Sequence, residues 1–87
     1  MDDHLSTEEV GWVIGRSAGT VRDLIQAGEI EAGRIPGGYR IAKAEVLRLG
    51  RVRIEGETGR QLSDEELERL IDDVIETNRA ALGDPAP

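Results

Sequence analysis

The stretch LSTEEVGWVIGRSAGTVRDLIQAG, Leu5 to Gly28, holds two helix beginnings and two helix ends. Ser6 stands as an N-cap, Glu9 comes three residues on to close a capping box, and Leu5 is placed to staple onto Val10. Val10, Val13 and Ile14 then supply an apolar stripe at i, i+3, i+4 before Gly15 stops the helix. Ser17 caps a second helix in which Val21, Leu24 and Ile25 repeat the spacing, and Gly28 ends it. Two short helices joined by about three residues read as a helix-turn-helix.

Downstream lies RIPGGYRI, Arg34 to Ile41. Pro36-Gly37-Gly38 reads as a three-residue hairpin loop, with Pro at the first turn position and the last Gly in the left-handed conformation. That loop pairs Ile35 with Tyr39, which turns Ile35, Tyr39 and Ile41 to one face and sets Arg34 and Arg40 together on the other. A two-residue Gly-Gly loop would mix charge into the apolar face, so the three-residue loop is the expectation. Lys43 to Leu49 then forms a short third helix ended by Gly50. Residues 51–62 are either a linker or a short strand pair. Leu62-Ser63-Asp64-Glu65-Glu66-Leu67 repeats the letters of Leu5 to Val10 nearly position for position. These are the letters of any well-capped helix start, however, and the two segments diverge after Val10 and Leu67. The second copy opens an amphipathic acidic helix over 63–83, stopped by Gly83 and Pro85, with a tail at 84–87.

The expected fold is therefore mainly α with a small β-hairpin wing: a winged helix-turn-helix over residues 1–50 plus an additional C-terminal amphipathic helix. The chain of 87 residues is too short for two independent cores. It has no cysteine, and hence no disulfide, thiolate nucleophile or Cys-based zinc site. No apolar run approaches the roughly 18 residues of a membrane span, and the acidic N-terminus is unlike a signal peptide, so a cytoplasmic protein is expected.

Charge is distributed unevenly along the chain. Residues 1–54 carry eight basic and eight acidic side chains, whereas residues 55–87 carry three basic and ten acidic, which accounts for the whole net charge of −7. A basic segment, from Arg16 to Arg53, lies between two acidic ones. Nothing in the sequence points to an enzyme. The single histidine, His4, sits in an N-terminus expected to fray, there is no phosphate-binding loop, and no serine has a base near it. The clusters Asp64-Glu65-Glu66 and Asp72-Asp73 lack the ligand spacing of a calcium loop and read as a solvated helix face. No cofactor or metal is expected.

A helix-turn-helix places its second helix in the DNA major groove. Opposite the Val21, Leu24, Ile25 stripe stand Gly19, Arg22, Asp23 and Gln26, of which Arg22 suits guanine and Gln26 suits adenine. Arg34 and Arg40, with Lys43 and Arg48 nearby in sequence, suit phosphates. The residues from Leu5 to Leu49 resemble the winged helix-turn-helix of the MerR superfamily, specifically its small excisionase-like proteins. They share the capped first helix, the Gly-x-Ser turn, the Thr-Val-x-x-Leu-Ile helix, the Gly-Gly wing and Tyr-Arg-Ile. The resemblance implies a transcription regulator or recombination directionality factor that binds double-stranded DNA with helix 18–27 in the major groove and the wing residues Arg34 and Arg40 near the backbone or minor groove. The expected DNA-contacting set is Arg16, Ser17, Thr20, Arg22, Gln26, Arg34, Arg40 and Lys43. Arg16, Ala18, Gly19 and Asp23 depart from the family pattern and weaken the recognition helix. The rival reading is a protein-interaction adaptor, antitoxin-like or of a phage-packaging type, that uses the acidic C-terminal helix.

In that helix Leu67, Leu70, Ile71, Val74 and Ile75 form an apolar stripe that has to be covered. Either it folds back on its own domain, with Trp12 as one contact, or it meets another chain. A homodimer reading two half-sites is the leading intermolecular option, and a separate protein partner the other.

Overall fold

The structure, a computed structural model, describes residues 4–83; the tail expected at 84–87, with Pro85, lies outside the described residues. Its elements run β1 (His4–Leu5), α1 (Thr7–Ile14), α2 (Ala18–Gln26), β2 (Gly33–Ile35), β3 (Gly38–Ala42), α3 (Lys43–Thr58) and α4 (Asp64–Gly83). The fold is mainly α with a small antiparallel sheet in the order β1-β3-β2. His4, expected to fray, instead pairs with Ala42 as Leu5 pairs with Ile41.

Local signals set the helix starts. Glu9 N–H donates to Ser6 Oγ at 3.2 Å while Ser6 N–H donates to Glu9 Oε1 at 2.9 Å, the reciprocal box that satisfies two otherwise orphaned donors. Ser63 and Glu66 build the same box at the start of α4, with both bonds at 3.1 Å. The α1–α2 corner needs two glycines. Gly15 takes a left-handed φ of +71°, and a Cβ on Gly11 would stand 2.5 Å from the Arg16 carbonyl oxygen. Gly11 thus lets the chain fold back tightly, and its own carbonyl receives Arg16 N–H at 2.9 Å. The end of α2 is a Schellman motif: Gly28, at φ +83°, donates to Ile25 O, and Glu29 donates to Leu24 O.

The hairpin departs from expectation. Ile35 pairs with Gly38, Arg34 with Tyr39 and Gly33 with Arg40, so the loop is the two residues Pro36-Gly37, with Gly37 at φ +86°. Pro at the first turn position and a left-handed Gly at the second form a type II turn, and Gly38 is released into the strand. Pairing across the ladder then puts Arg34 on the face of Tyr39 and Ile41, with Arg40 and Ile35 on the opposite one. Ile41 is fully buried and Tyr39 half-buried, but Ile35 is exposed rather than turned inward.

The third helix also departs from expectation. It does not stop at Gly50 but runs on to Thr58, so the linker or strand pair expected over 51–62 is helix up to Thr58 and loop beyond. The alternation around Val52 and Ile54 is a helix surface, with Val52 exposed, and the pairs Arg51–Glu55 and Arg53–Glu57 brace it at i, i+4. Gly59, left-handed at φ +70°, ends it. Gly50 is buried where α3 packs against α1 and α4: a Cβ there would lie 2.9 Å from Ile71 Cδ1 and 3.1 Å from Val13 Cγ1.

One core joins all of these pieces. Val10 and Val13 of α1, Val21 of α2, Ile41 of β3, Val46 of α3, and Leu67 and Ile71 of α4 are its most deeply buried members. The C-terminal helix therefore folds back, packing against α1 and α3, with Trp12 at the edge of the core. Burying Leu67 and Ile71 contributes about 1.5–3 kcal/mol each, and ion pairs fasten the rim, from Arg79 to Glu9 and from Arg51 to Asp64.

Candidate nucleic-acid interface

The second helix presents its polar side to solvent because its apolar side is committed to the core. Val21 is buried, Leu24 and Ile25 pack against the core, and Arg22, Asp23 and Gln26 are exposed. The corner before it exposes Arg16 and Ser17. The Ser17 hydroxyl accepts from Thr20 N–H at 3.1 Å and lies 3.0 Å from the Thr20 hydroxyl, so both side chains hold the start of α2. The expected groove-facing positions are thus present on one helix and the turn that leads into it.

The hairpin does not present its two arginines together. Arg34 and Arg40 are both exposed, but the register sends them to opposite faces of the ribbon.

Lys43 is engaged elsewhere. Its ammonium lies 3.4 Å from Glu68 and 3.3 Å from Asp72, tying the start of α3 to α4. Burial pulls the Lys43 pKa down, but Asp72 and Glu68 together outweigh it and hold the group above its ordinary value. Arg48 is also engaged, donating to Glu45 at 2.9 and 2.7 Å and to the Glu29 carbonyl at 3.4 Å. Glu45 in turn accepts from Glu31 N–H at 3.0 Å, which fixes the connection between α2 and the hairpin to α3. The Arg48 guanidinium, opposed by partial burial and aided by the Glu31 amide, holds the Glu45 carboxyl below its ordinary pKa.

Sequence reasoning gives no role to Arg51 and Arg53, and the structure gives each one. Arg51 donates to Glu55 and the Leu62 carbonyl, and pairs with Asp64, closing the α3–α4 loop. Arg53 donates to the Val13 carbonyl at 2.9 Å, and its guanidinium lies against Gly15. The i, i+4 glutamates are the sequence signal that these arginines belong to a helix.

A division among cations results. From Leu5 to Glu55 the chain has eight Arg and Lys residues. Lys43, Arg48, Arg51 and Arg53 are all in ion pairs, whereas Arg16, Arg22, Arg34 and Arg40 form none among the described residues. The unpaired four stand on the corner, on α2 and on the hairpin. Of the expected assembly stripe, Leu67, Ile71 and Ile75 are buried in the chain's own core, Val74 is half-buried and Leu70 is exposed. No helix among the described residues is long and apolar enough to cross a membrane.

No curated protein and no solved structure matches the chain. A family model described as a helix-turn-helix domain matches residues 5–55, which span β1 through most of α3 and include every element that carries the unpaired arginines. The match covers more than half of the chain, which therefore belongs to the helix-turn-helix domain family, a fold suited to binding DNA.

Proposed function

We propose that the protein is a DNA-binding regulator of excisionase or MerR-like type, acting at the nucleoid as a transcription regulator or a recombination directionality factor. The observation that carries this reading is the division of its cations: the fold pairs the basic residues of α3 internally and leaves Arg16, Arg22, Arg34 and Arg40 for an anionic partner. In this reading α2 lies in the major groove. Arg22 and Gln26 face base edges, each good bidentate contact giving about 1–3 kcal/mol of discrimination, and the arginines of the corner and hairpin position the duplex through phosphates. Asp23 opposes this on the same exposed side, so affinity is modest and sensitive to salt.

Polarisation titrations against a random duplex and against DNA from upstream of the protein's own gene, at two salt concentrations, test the proposal. Binding that weakens with salt, and that Arg22→Ala combined with Arg40→Ala abolishes, is the expected result. Absence of binding at low salt rejects it in favour of an adaptor that works through the acidic outer face of α4.

A further inference from the structure

Asp23 is a residue that its own helix does not call for. It is exposed in the last turn of α2, where a carboxylate meets the negative end of the helix dipole, and aspartate is among the weaker helix formers. The positions three and four residues away hold Gly19, Thr20, Gln26 and Ala27, so no cation on α2 is spaced to brace it. Arg22, its neighbour in the chain, reaches back over the first turn instead: Nη2 lies 3.9 Å from where a Cβ on Gly19 would stand. Asp23 forms no ion pair among the described residues. Solubility does not require it either, in a chain whose net charge is already −7.

On the DNA-binding reading given above, on which this inference rests, a carboxylate on α2 is repelled by phosphates unless it meets a hydrogen-bond donor in the groove. The major groove offers such donors only at the amino groups of cytosine and adenine. Adenine sets its N7 acceptor beside that amino group, and guanine and thymine present acceptors. Cytosine alone presents a donor with no acceptor on its own edge. We propose that Asp23 is a specificity-determining residue: it accepts a hydrogen bond from the N4 amino group of one cytosine in the target site and repels the other bases at that position. Its charge also weakens contact with DNA of any other sequence, where it faces phosphates with no donor in return. Arg22 and Gln26 supply attraction, and Asp23 supplies rejection.

Selection from a pool of duplexes randomised over about one helical turn reads the site, with wild type, Asp23→Ala and Asp23→Asn run in parallel. Wild type is expected to enrich cytosine at one position, and exchanging that single base pair is expected to weaken binding by about tenfold. Asp23→Ala loses the preference at that position only, keeps the rest of the site and binds a random duplex more tightly at low salt. Asp23→Asn, whose amide both donates and accepts, moves the preference towards adenine. Thermal melting of Asp23→Ala at or above the wild-type temperature confirms that the fold makes no use of the carboxylate. A cytosine preference that survives in Asp23→Ala, or a change in affinity that is the same for every duplex, overturns the role of Asp23 while the DNA-binding reading stands. Failure of the wild type to bind any duplex at low salt overturns both.

Discussion

Arg53 donates from Nη1 to the carbonyl oxygen of Val13 at 2.9 Å, bridging forty residues of sequence to reach the last turn of α1. Its guanidinium occupies the space where a side chain on Gly15 would go, with Cζ 2.9 Å from the position of a Cβ. One arginine of α3 therefore satisfies an orphaned helix-end carbonyl and backs the corner that orients α2.

Arg53→Met keeps most of the stem and removes the donor. It is expected to destabilise the protein by about 1–2 kcal/mol, the loss of a charge-assisted bond to a partly buried carbonyl, read as a lower urea midpoint. Arg53→Lys recovers part of this, since an ammonium reaches the carbonyl but cannot lie flat against Gly15.

Three glycine-to-alanine changes should separate by sign. Gly56→Ala, where a Cβ meets nothing within 4 Å, stabilises by about 0.5–1 kcal/mol through helix propensity. Gly50→Ala gains the same propensity but drives a methyl into Ile71 and Val13, both deep in the core, and overpacking of about 1–3 kcal/mol outweighs the gain. Gly11→Ala is worse, because the atom it meets is the backbone oxygen of Arg16 and the whole corner has to shift. Thermal melts of the three variants rank them.

The legible parts of the fold are those written within one turn of chain. Ser6 with Glu9 and Ser63 with Glu66 fix helix starts by contacts three residues long, and the Val21, Leu24, Ile25 spacing fixes which side of α2 faces out. Gly50 misleads because the same residue that ends an isolated helix also allows close approach inside a packed one, and only the partners Val13 and Ile71 distinguish the two. The hairpin misleads because Pro36-Gly37-Gly38 accommodates two turns that differ by one residue, and a one-residue change moves Arg34 to the other face. Lys43 looks available in the sequence because its partners Glu68 and Asp72 lie on a helix far along the chain.

Acid should weaken the connection between α2 and the hairpin. The carboxyl of Glu45 is held below its ordinary value of 4.5, chiefly by Arg48. A depressed folded pKa contributes stability that is fully present above the unfolded value and is lost as pH falls through the folded one. Glu45→Gln keeps an acceptor for Glu31 N–H but has no charge for Arg48. The gap in urea midpoint between wild type and Glu45→Gln is therefore expected to be open at neutral pH and to close as pH drops below 4.5. A gap that persists unchanged at low pH would mean that the Arg48 pair contributes nothing through its charge. Glu66, lowered by its bonds with Ser63, titrates in the same direction in both proteins and cancels from the comparison.

The division among cations makes the sharpest demand on DNA binding. Each arginine that neutralises a phosphate adds about −0.9 to the slope of log affinity against log salt. If Arg34 and Arg40 touch phosphates while Lys43 is held by Glu68 and Asp72, then Arg34→Ala and Arg40→Ala should each flatten the slope by about that amount. Lys43→Met should leave the slope nearly unchanged and instead lower stability slightly, since an ion pair at the surface is worth at most about 1 kcal/mol. Lys43→Met also uncovers two carboxylates on α4, but that helix packs on α1 and α3. Any loss of affinity in this variant should therefore be small and should shrink as salt screens the carboxylates. Equal slopes for Arg40→Ala and wild type, with a flattened slope for Lys43→Met, would reverse the assignment. That result would place the DNA against the start of α3 rather than against the hairpin.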